Sequence, residues 1–451
     1  MGLQLSLNEL ARVVGCQQPF GDVLVSGAVI DTRKISTGNL FVALKGERVD
    51  GHDFIRQARE AGASAALVSE LRDDPLPQIQ VADVRRAFAQ IAKYWRQQCQ
   101  ARVVAITGSN GKTSVKEMVS AILKQVGTVT ATQGNLNNDL GVPLTLCCLG
   151  RHDDFAVIEM GANHPGEIAG LVAVAEPDVA IINNVAPAHL EGFGSVEGVA
   201  AAKGEIFAGL PAHGIGVINA DMPHVELWQS LLAARQFKTF ALENPADITA
   251  EYVQLDLGSS HFMVAIDGIS HHFNLPLPGM HNVANALAAI AICVALEIPV
   301  AAMVKGLSSI QAVPHRLQLR AGIGESRIID DTYNANPGSY LQALKTLSEF
   351  SGQHWLVLGD FGELGSKTEE IHQQMGLQAR EAGVNRLLTV GTSSRSATNS
   401  FGEGAEHYED IETLQNLLRN ELSKEVTCLI KGSRFMQLDK LADELADRGM
   451  R

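Results

Sequence analysis

Cysteine, positive charge and long apolar runs are all in short supply in this sequence, and each shortage excludes something. The six cysteines, Cys16, Cys99, Cys147, Cys148, Cys293 and Cys428, include no C-x-x-C pair, which argues against a zinc site or a disulfide framework. They read as small buried apolar residues of a chain in a reducing cytoplasm. Lysine and arginine number 36 against 50 aspartates and glutamates, a net charge of −14. A chain this acidic repels polyphosphate backbones, so no nucleic-acid partner is expected, although a local basic pocket for a small anion is compatible with it. The most apolar stretch, Ala286–Leu296, is too short to cross a bilayer and reads as a buried helix. The start, MGLQLSLNEL, lacks the basic flank and long apolar core of a signal peptide. No membrane span and a cytoplasmic location are therefore expected.

What is present is an ordinary globular mix, 46% hydrophobic and 19% charged over 451 residues, enough for two to four domains. The polar, proline-bearing run RDDPLP (Arg72–Pro77) marks a first break and Val313-Pro314 a second. Between them, apolar strands are expected at Val103–Ile106, Phe155–Glu159, Val179–Asn183 and Ile215–Asn219, with helices over Thr113–Gln125 and Val196–Leu210. Beyond Pro314 the alternation resumes, from a strand at Arg327–Asp330 to a last helix at Leu438–Ala446. Strands alternating with helices predict parallel sheets covered on both faces.

The strongest chemical signal is VVAITGSNGKTSVKEM, Val103–Met118. A strand runs into Thr107 and a loop of Gly108, Ser109, Asn110 and Gly111, and a helix opens at Lys112. Glycines let several N–H groups turn inward to a phosphate, and the helix dipole adds to them. Lys112 brings a mobile cation to the β- and γ-phosphates, and the Thr113 hydroxyl is placed to ligate Mg²⁺. Ile106 stands where the standard P-loop spacing has glycine, so the pattern is T-G-x-x-G-K-T. Glu159 ends a strand at the same sheet edge, where open α/β sheets bind ligands, and is a reasonable Mg²⁺ ligand. His189, after the next strand, falls on that edge too. Lys203 sits in an alanine-rich helix. Taken singly, Glu159 and Lys203 read as solvated charges and His189 as a structural histidine. The phosphate loop reverses that reading for Glu159.

Taken together these pieces resemble the Mur ligase family. TGSNGKTS, the Glu159 strand end, AHLEGFG, AKGEIF, PLPGMHNVANALAA, IDDTYNANP and KGSR occur in the family's order, and DTRKISTGNLFVALKGERVDGHDF (Asp31–Phe54) resembles its UDP-sugar domain. The resemblance implies three α/β domains. These are a small UDP-binding domain over 1–80, a central P-loop-type, mostly parallel ATPase domain over 81–313 and a Rossmann-like domain over 314–451. It also implies an ATP-dependent ligase working through an acyl phosphate. Within the family, GNLNNDLGVP (Gly134–Pro143) and VIEMGANHPGEI (Val157–Ile168) resemble the member that adds D-alanyl-D-alanine to UDP-N-acetylmuramoyl-tripeptide. The alternatives are a sibling ligase adding another amino acid, a folate polyglutamylase, which the UDP-type segment opposes, and a nucleotide-driven regulatory switch.

The same resemblance assigns residues. Asn282, Asp331, Tyr333 and Asn336 would contact ATP across the cleft, and Arg316 would complete the phosphate site on closure. Two Mg²⁺ ions are implied, held by Thr113, Glu159, His189 and Lys203, the last as a carbamate. The UDP substrate would meet Asp31, Thr32, Arg33, Lys45 and Gly46, together with Asn135, Asn137 and Asn138. The amine substrate would meet Gly362, His372, Lys431, Ser433 and Arg434. A monomer is expected. One departure stands out: the family usually has Pro-Gly-Arg where this chain has Pro314-His315-Arg316.

Overall fold

The computed structural model describes residues 2–187, 190–256 and 258–447. Three sheets organise the chain. The first has the order β3-β4-β5-β6 and is all parallel, built from Ala28–Val29 (β3), Leu40–Val42 (β4), Ala65–Val68 (β5) and Gln78–Gln80 (β6). A two-stranded ribbon of Gln4–Ser6 (β1) and Leu24–Ser26 (β2) precedes it.

The second sheet carries the phosphate loop. Its strands are Arg102–Thr107 (β7), Val129–Ala131 (β8), Phe155–Glu159 (β9), Val179–Ile182 (β10), Ile215–Asn219 (β11), Phe237–Ala241 (β12) and Ile248–Thr249 (β13), in the order β13-β12-β11-β10-β7-β9-β8. All its pairings are parallel. The chain builds β8 and β9 on one side of β7 and then crosses to β10 on the other. That crossover makes the C-terminal end of β7 a switch point, where ligands bind in open α/β sheets. Every residue of β9 and β10 is buried, as continuous apolar runs must be when helices cover both faces.

Alternate residues of these strands feed two different cores. Val103, Ala105, Ala156, Ile158, Ala180 and Ile182 join a core that runs back through Trp95 to Leu3. Val104, Ile106, Val157, Val179 and Ile181 pack instead against helices Lys112–Leu123 and Met280–Ala295. The first unit therefore shares a core with the second, and helix Val84–Gln97 bridges them. A three-stranded antiparallel sheet, Glu251–Leu255 (β14), Ser260–Ile266 (β15) and Ile269–Leu275 (β16), was not foreseen.

The third sheet has the order β17-β18-β22-β19-β20-β21, with Gln318–Ala321 (β17), Arg327–Asp331 (β18), Gln353–Gly359 (β19), Arg386–Val390 (β20), Ala405–Tyr408 (β21) and Val426–Lys431 (β22). Only the edge strand β17 is antiparallel. Among the described residues no helix is long and apolar enough to cross a membrane.

Candidate active site

Gly111 caps helix Lys112–Leu123 with φ +76°. A Cβ there would lie 2.5 Å from Asn285 Oδ1 and 2.6 Å from Asn183 Nδ2, so both the backbone and the space demand glycine. Its neighbours are fixed by the chain leaving β10. Ser109 N–H donates to Asn184 O at 3.0 Å, Asn110 N–H donates to Asn184 Oδ1 at 2.9 Å, and Asn183 Nδ2 donates to Asn110 O at 3.0 Å. Thr107 Oγ1 donates to Met160 O at 2.8 Å and ties the end of β7 to the end of β9. Lys112 folds back over the loop, its Nζ donating to Gly108 O at 2.7 Å. Burial holds its amine below the usual lysine value, and the Glu159 carboxylate opposes that shift.

Glu159 is buried and shared. Thr113 Oγ1 donates to its Oε2 at 2.8 Å and Asn137 Nδ2 to its Oε1 at 2.8 Å. A hydroxyl and a carboxylate meeting beside a phosphate loop form the hard-oxygen donor set that Mg²⁺ prefers. Lys203 lies in the same cleft on helix Val196–Ala208, and only 2% of it is exposed. Burial, reinforced by the Lys112 cation, pushes its amine well below the usual lysine value. Glu205, its nearest acid in sequence, is committed elsewhere: it accepts from Gly166 N–H at 2.7 Å and Ala169 N–H at 3.0 Å, at the start of helix Glu167–Ala175. His189, expected on this edge, lies outside the described residues.

The opposite wall comes from the third unit. Strand register sets Asp331 beside Lys431, and Lys431 Nζ reaches Asp331 Oδ2 at 2.5 Å and Asn334 O at 3.3 Å. The Arg316 guanidinium stacks 4.1 Å from the Tyr333 ring centroid, with Arg434 at 5.8 Å from the same ring. Together the walls enclose a cleft of about 1340 Å³. Eight lysines and arginines line it (Arg85, Arg86, Lys112, Lys203, Arg316, Lys345, Lys431, Arg434) against six acids. The acidic chain thus keeps a locally basic cavity, as a polyphosphate requires.

The cleft gathers Ser109 to Thr113, Asn135, Asn137, Asn138, Glu159, Lys203, Asn282, Arg316, Asp331, Tyr333, Asn336, Lys431 and Arg434. It does not gather the UDP-type residues of the first unit. Asp31, Thr32 and Arg33 stand on a separate surface, where Asp31 accepts from Arg33 Nε at 2.9 Å and Nη2 at 2.8 Å. Those bonds hold the Asp31 carboxyl down at about 2. The backbones of Lys45 and Asp50 form an isolated antiparallel β-bridge, and Gly46 N–H donates to Val49 O at 2.9 Å. Gly362 N–H donates to Ser433 Oγ at 2.9 Å, so these two form one loop contact beside the cleft.

His372 is a correction in orientation. It is fully buried, Nδ1 pairs with Thr368 O at 2.7 Å and Nε2 accepts from Phe361 N–H at 3.1 Å. Both ring nitrogens are engaged with backbone, one on the loop after β19 and the other at the start of helix Thr368–Glu381. Sequence reading also missed Arg85, Arg86, Asn183, Asn184, His281 and Asn285, all of which line the cleft. The pair Asn183-Asn184 directly follows an apolar strand, which is the signal that could have found it.

Family models match almost end to end: the Mur ligase family catalytic domain over residues 24–96, the Mur ligase middle domain over 106–293 and the Mur ligase glutamate ligase domain over 315–434. The chain is 44% identical to the UDP-N-acetylmuramoyl-tripeptide–D-alanyl-D-alanine ligase of Escherichia coli (strain K12), covering 99% of each. It superposes on the MurF crystal structure from Acinetobacter baumannii with a TM-score of 0.90 at 33% identity, covering 98% of this chain and 99% of that one. The MurF ligase of Thermotoga maritima in complex with ADP gives a TM-score of 0.83 at 27% identity, covering 94% and 98%.

Proposed function

The chain belongs to the Mur ligase family, and from that premise we propose that it joins D-alanyl-D-alanine to UDP-N-acetylmuramoyl-tripeptide, converting ATP to ADP and phosphate and giving the pentapeptide precursor of peptidoglycan. The observation that carries this reading is one basic cleft in which Lys112, Thr113 and Glu159 of the second unit face Arg316, Asp331 and Tyr333 near and within the third, in a chain matched along its whole length by such a ligase.

Carboxylate is a poor electrophile, so the tripeptide's free carboxylate must first be activated. Its oxygen attacks the γ-phosphorus, ADP leaves and an acyl phosphate forms. The dipeptide amine then attacks the acyl carbon, a proton is lost, and phosphate leaves as the amide closes. The first step brings two anions together, so the protein's work is positioning and charge neutralisation. Lys112 and Arg316 cover the phosphates. Asn282, Asp331, Tyr333 and Asn336 hold the nucleotide, with Asp331 toward the ribose hydroxyls. Thr113 and Glu159 hold Mg²⁺, which neutralises phosphate charge when bound. His189 and a carbamylated Lys203 serve a second ion. A lysine cation would repel that ion, whereas a carbamate offers two oxygens, and Glu205 is not there to neutralise the amine.

Asp31, Thr32, Arg33, Lys45 and Gly46 bind the uridine diphosphate, and Asn135, Asn137 and Asn138 guide the rest of that substrate toward the cleft. Gly362, Lys431, Ser433 and Arg434 face the amine. Domains over 1–80, 81–313 and 314–451 divide these tasks in a cytoplasmic monomer.

Phosphate release is the first test: it should require UDP-tripeptide and D-alanyl-D-alanine together. A product mass from a mixed pool of amino acids and dipeptides should show addition of D-alanyl-D-alanine alone. Hydrolysis without the amine would favour a nucleotide switch, and addition of another amine would favour a sibling ligase.

A further inference from the structure

The segment that joins the second unit to the third is left-handed on both sides of Arg316: φ is +62° at His315 and +46° at Leu317. Neither residue is glycine, so the conformation persists only where the surroundings over-determine it. They do. His315 Nδ1 lies 2.9 Å from Asp330 Oδ2, His315 O accepts from Tyr333 N–H at 3.0 Å, and Leu317 N–H donates to Asp331 Oδ1 at 3.1 Å. Successive side chains of a strand face opposite ways. Asp331 therefore faces the cleft, while Asp330 is wholly buried behind it. Asp330 is a fixed anchor, since Thr332 Oγ1 donates to its Oδ1 at 2.7 Å and Arg320 Nη1 to its Oδ2 at 2.9 Å. Arg320 Nη1 continues to Asp443 Oδ1 at 2.7 Å. His315, Asp330 and Asp443 could otherwise be taken for a metal site, but the guanidinium already occupies the cation's place.

We infer that His315 is a positioning residue: its imidazole, tied to Asp330, latches the joining segment so that Arg316 is held against Tyr333 at the mouth of the nucleotide cleft. A glycine at this position would take the same backbone without strain and keep the backbone bonds, but would lack the side-chain tether to Asp330. The latch rests on Arg316 acting on the nucleotide, as proposed above.

The test is steady-state kinetics and thermal melting of the full-length enzyme with His315→Gly, His315→Asn, Arg316→Ala and the His315→Gly/Arg316→Ala double variant. A hydrogen bond to a buried carboxylate is worth about tenfold or more in an equilibrium, so His315→Gly should raise KM for ATP by about tenfold. KM for the UDP substrate should stay within about twofold, and Tm should not fall, because glycine relieves the backbone. Asparagine tolerates the left-handed region and carries Nδ2 at the same bond separation from Cα as histidine Nδ1. His315→Asn should therefore remain within about threefold of the parent. If His315 works through Arg316, adding His315→Gly to Arg316→Ala should change nothing further. The latch is overturned by an unchanged KM for ATP in His315→Gly, by additive effects in the double variant, or by equal losses for both substrates with a lowered Tm. An unchanged KM for ATP in Arg316→Ala would instead remove the nucleotide role of Arg316, and the latch with it.

Discussion

Asn336 of the third unit donates from Nδ2 to Asn110 Oδ1 in the phosphate loop at 2.9 Å. The same side chain caps helix Pro337–Ser348, its Oδ1 accepting from Ser339 N–H at 2.8 Å. The helix contact fixes which end of the amide faces the loop. One residue thus begins a helix in one unit and touches the phosphate loop of another.

Asn336→Asp separates those two tasks. Aspartate caps as well as asparagine, so Tm should hold. Its negative charge, set beside the triphosphate, should raise KM for ATP by about tenfold. Asn336→Ala should also lose about 1 kcal/mol of stability with the cap. A KM unchanged in both variants would show that the bridge does not report on the nucleotide.

His281 should give the enzyme a pH dependence of stability. It lies in the first turn of helix Met280–Ala295 in the second unit and its Nδ1 faces Gln342 Nε2 of the third at 3.2 Å. An amide nitrogen is a donor, so the bond needs an unprotonated Nδ1. Burial pushes this imidazole down to about 4, against a partial opposing pull from Asp331. The unfolded chain takes up its proton near pH 6.5, before the folded one does. The stability is therefore fully present above pH 6.5 and is lost as pH falls toward 4, by at most roughly 3 kcal/mol, less where the cleft side meets water. His281→Gln should flatten the Tm profile across that window. An equal slope in both proteins would place the titration elsewhere.

The parts legible in the sequence are those with a local signature. The phosphate loop, Glu159 at the end of β9 and the alternation of the third unit all rest on periodicity and glycine spacing, and each lies where it was expected. The β15–β16 hairpin has a local signature as well. Asp267-Gly268 sits between two alternating runs, and both residues take positive φ, +51° and +77°, which is the signature of a tight hairpin turn. Asn183 and Asn184 have only their place at the end of β10 to mark them, because the loop they act on is 73 and 74 residues away in sequence and an amide carries no spacing rule. A polar, proline-bearing run marks a loop, but the core continues beneath it from Leu3 through Trp95 to Trp228.

Arg33 tests the first unit. Its side chain is 84% exposed and its charge is turned to Asp31. A guanidinium in that state is available to a diphosphate at little desolvation cost. Arg33→Ala should raise KM for the UDP substrate by about tenfold and leave KM for ATP alone. Equal effects on both substrates would make the residue structural.

Lys203 is the sharpest case, because its surroundings disagree with an ammonium. The side chain is buried, it lines the cleft with Lys112, and the charge that acts on it is that second cation. Glu205 is spent on the start of helix Glu167–Ala175. A neutral amine adds CO₂, losing a proton, to give a carbamate whose two oxygens suit Mg²⁺. Lys203→Ala should lower kcat by about 100-fold or more while the fold melts as before. Formate or acetate should restore part of that loss by filling the vacated space. Dialysis of the parent enzyme at low pH should remove the carbamate, and millimolar bicarbonate should return activity. Carbon-13 bicarbonate should then give a carbamate resonance that is absent from the variant, whatever the activity. Rescue by small amines with no effect of carboxylates, and no such resonance in the parent, would establish that the positive charge is what the site uses.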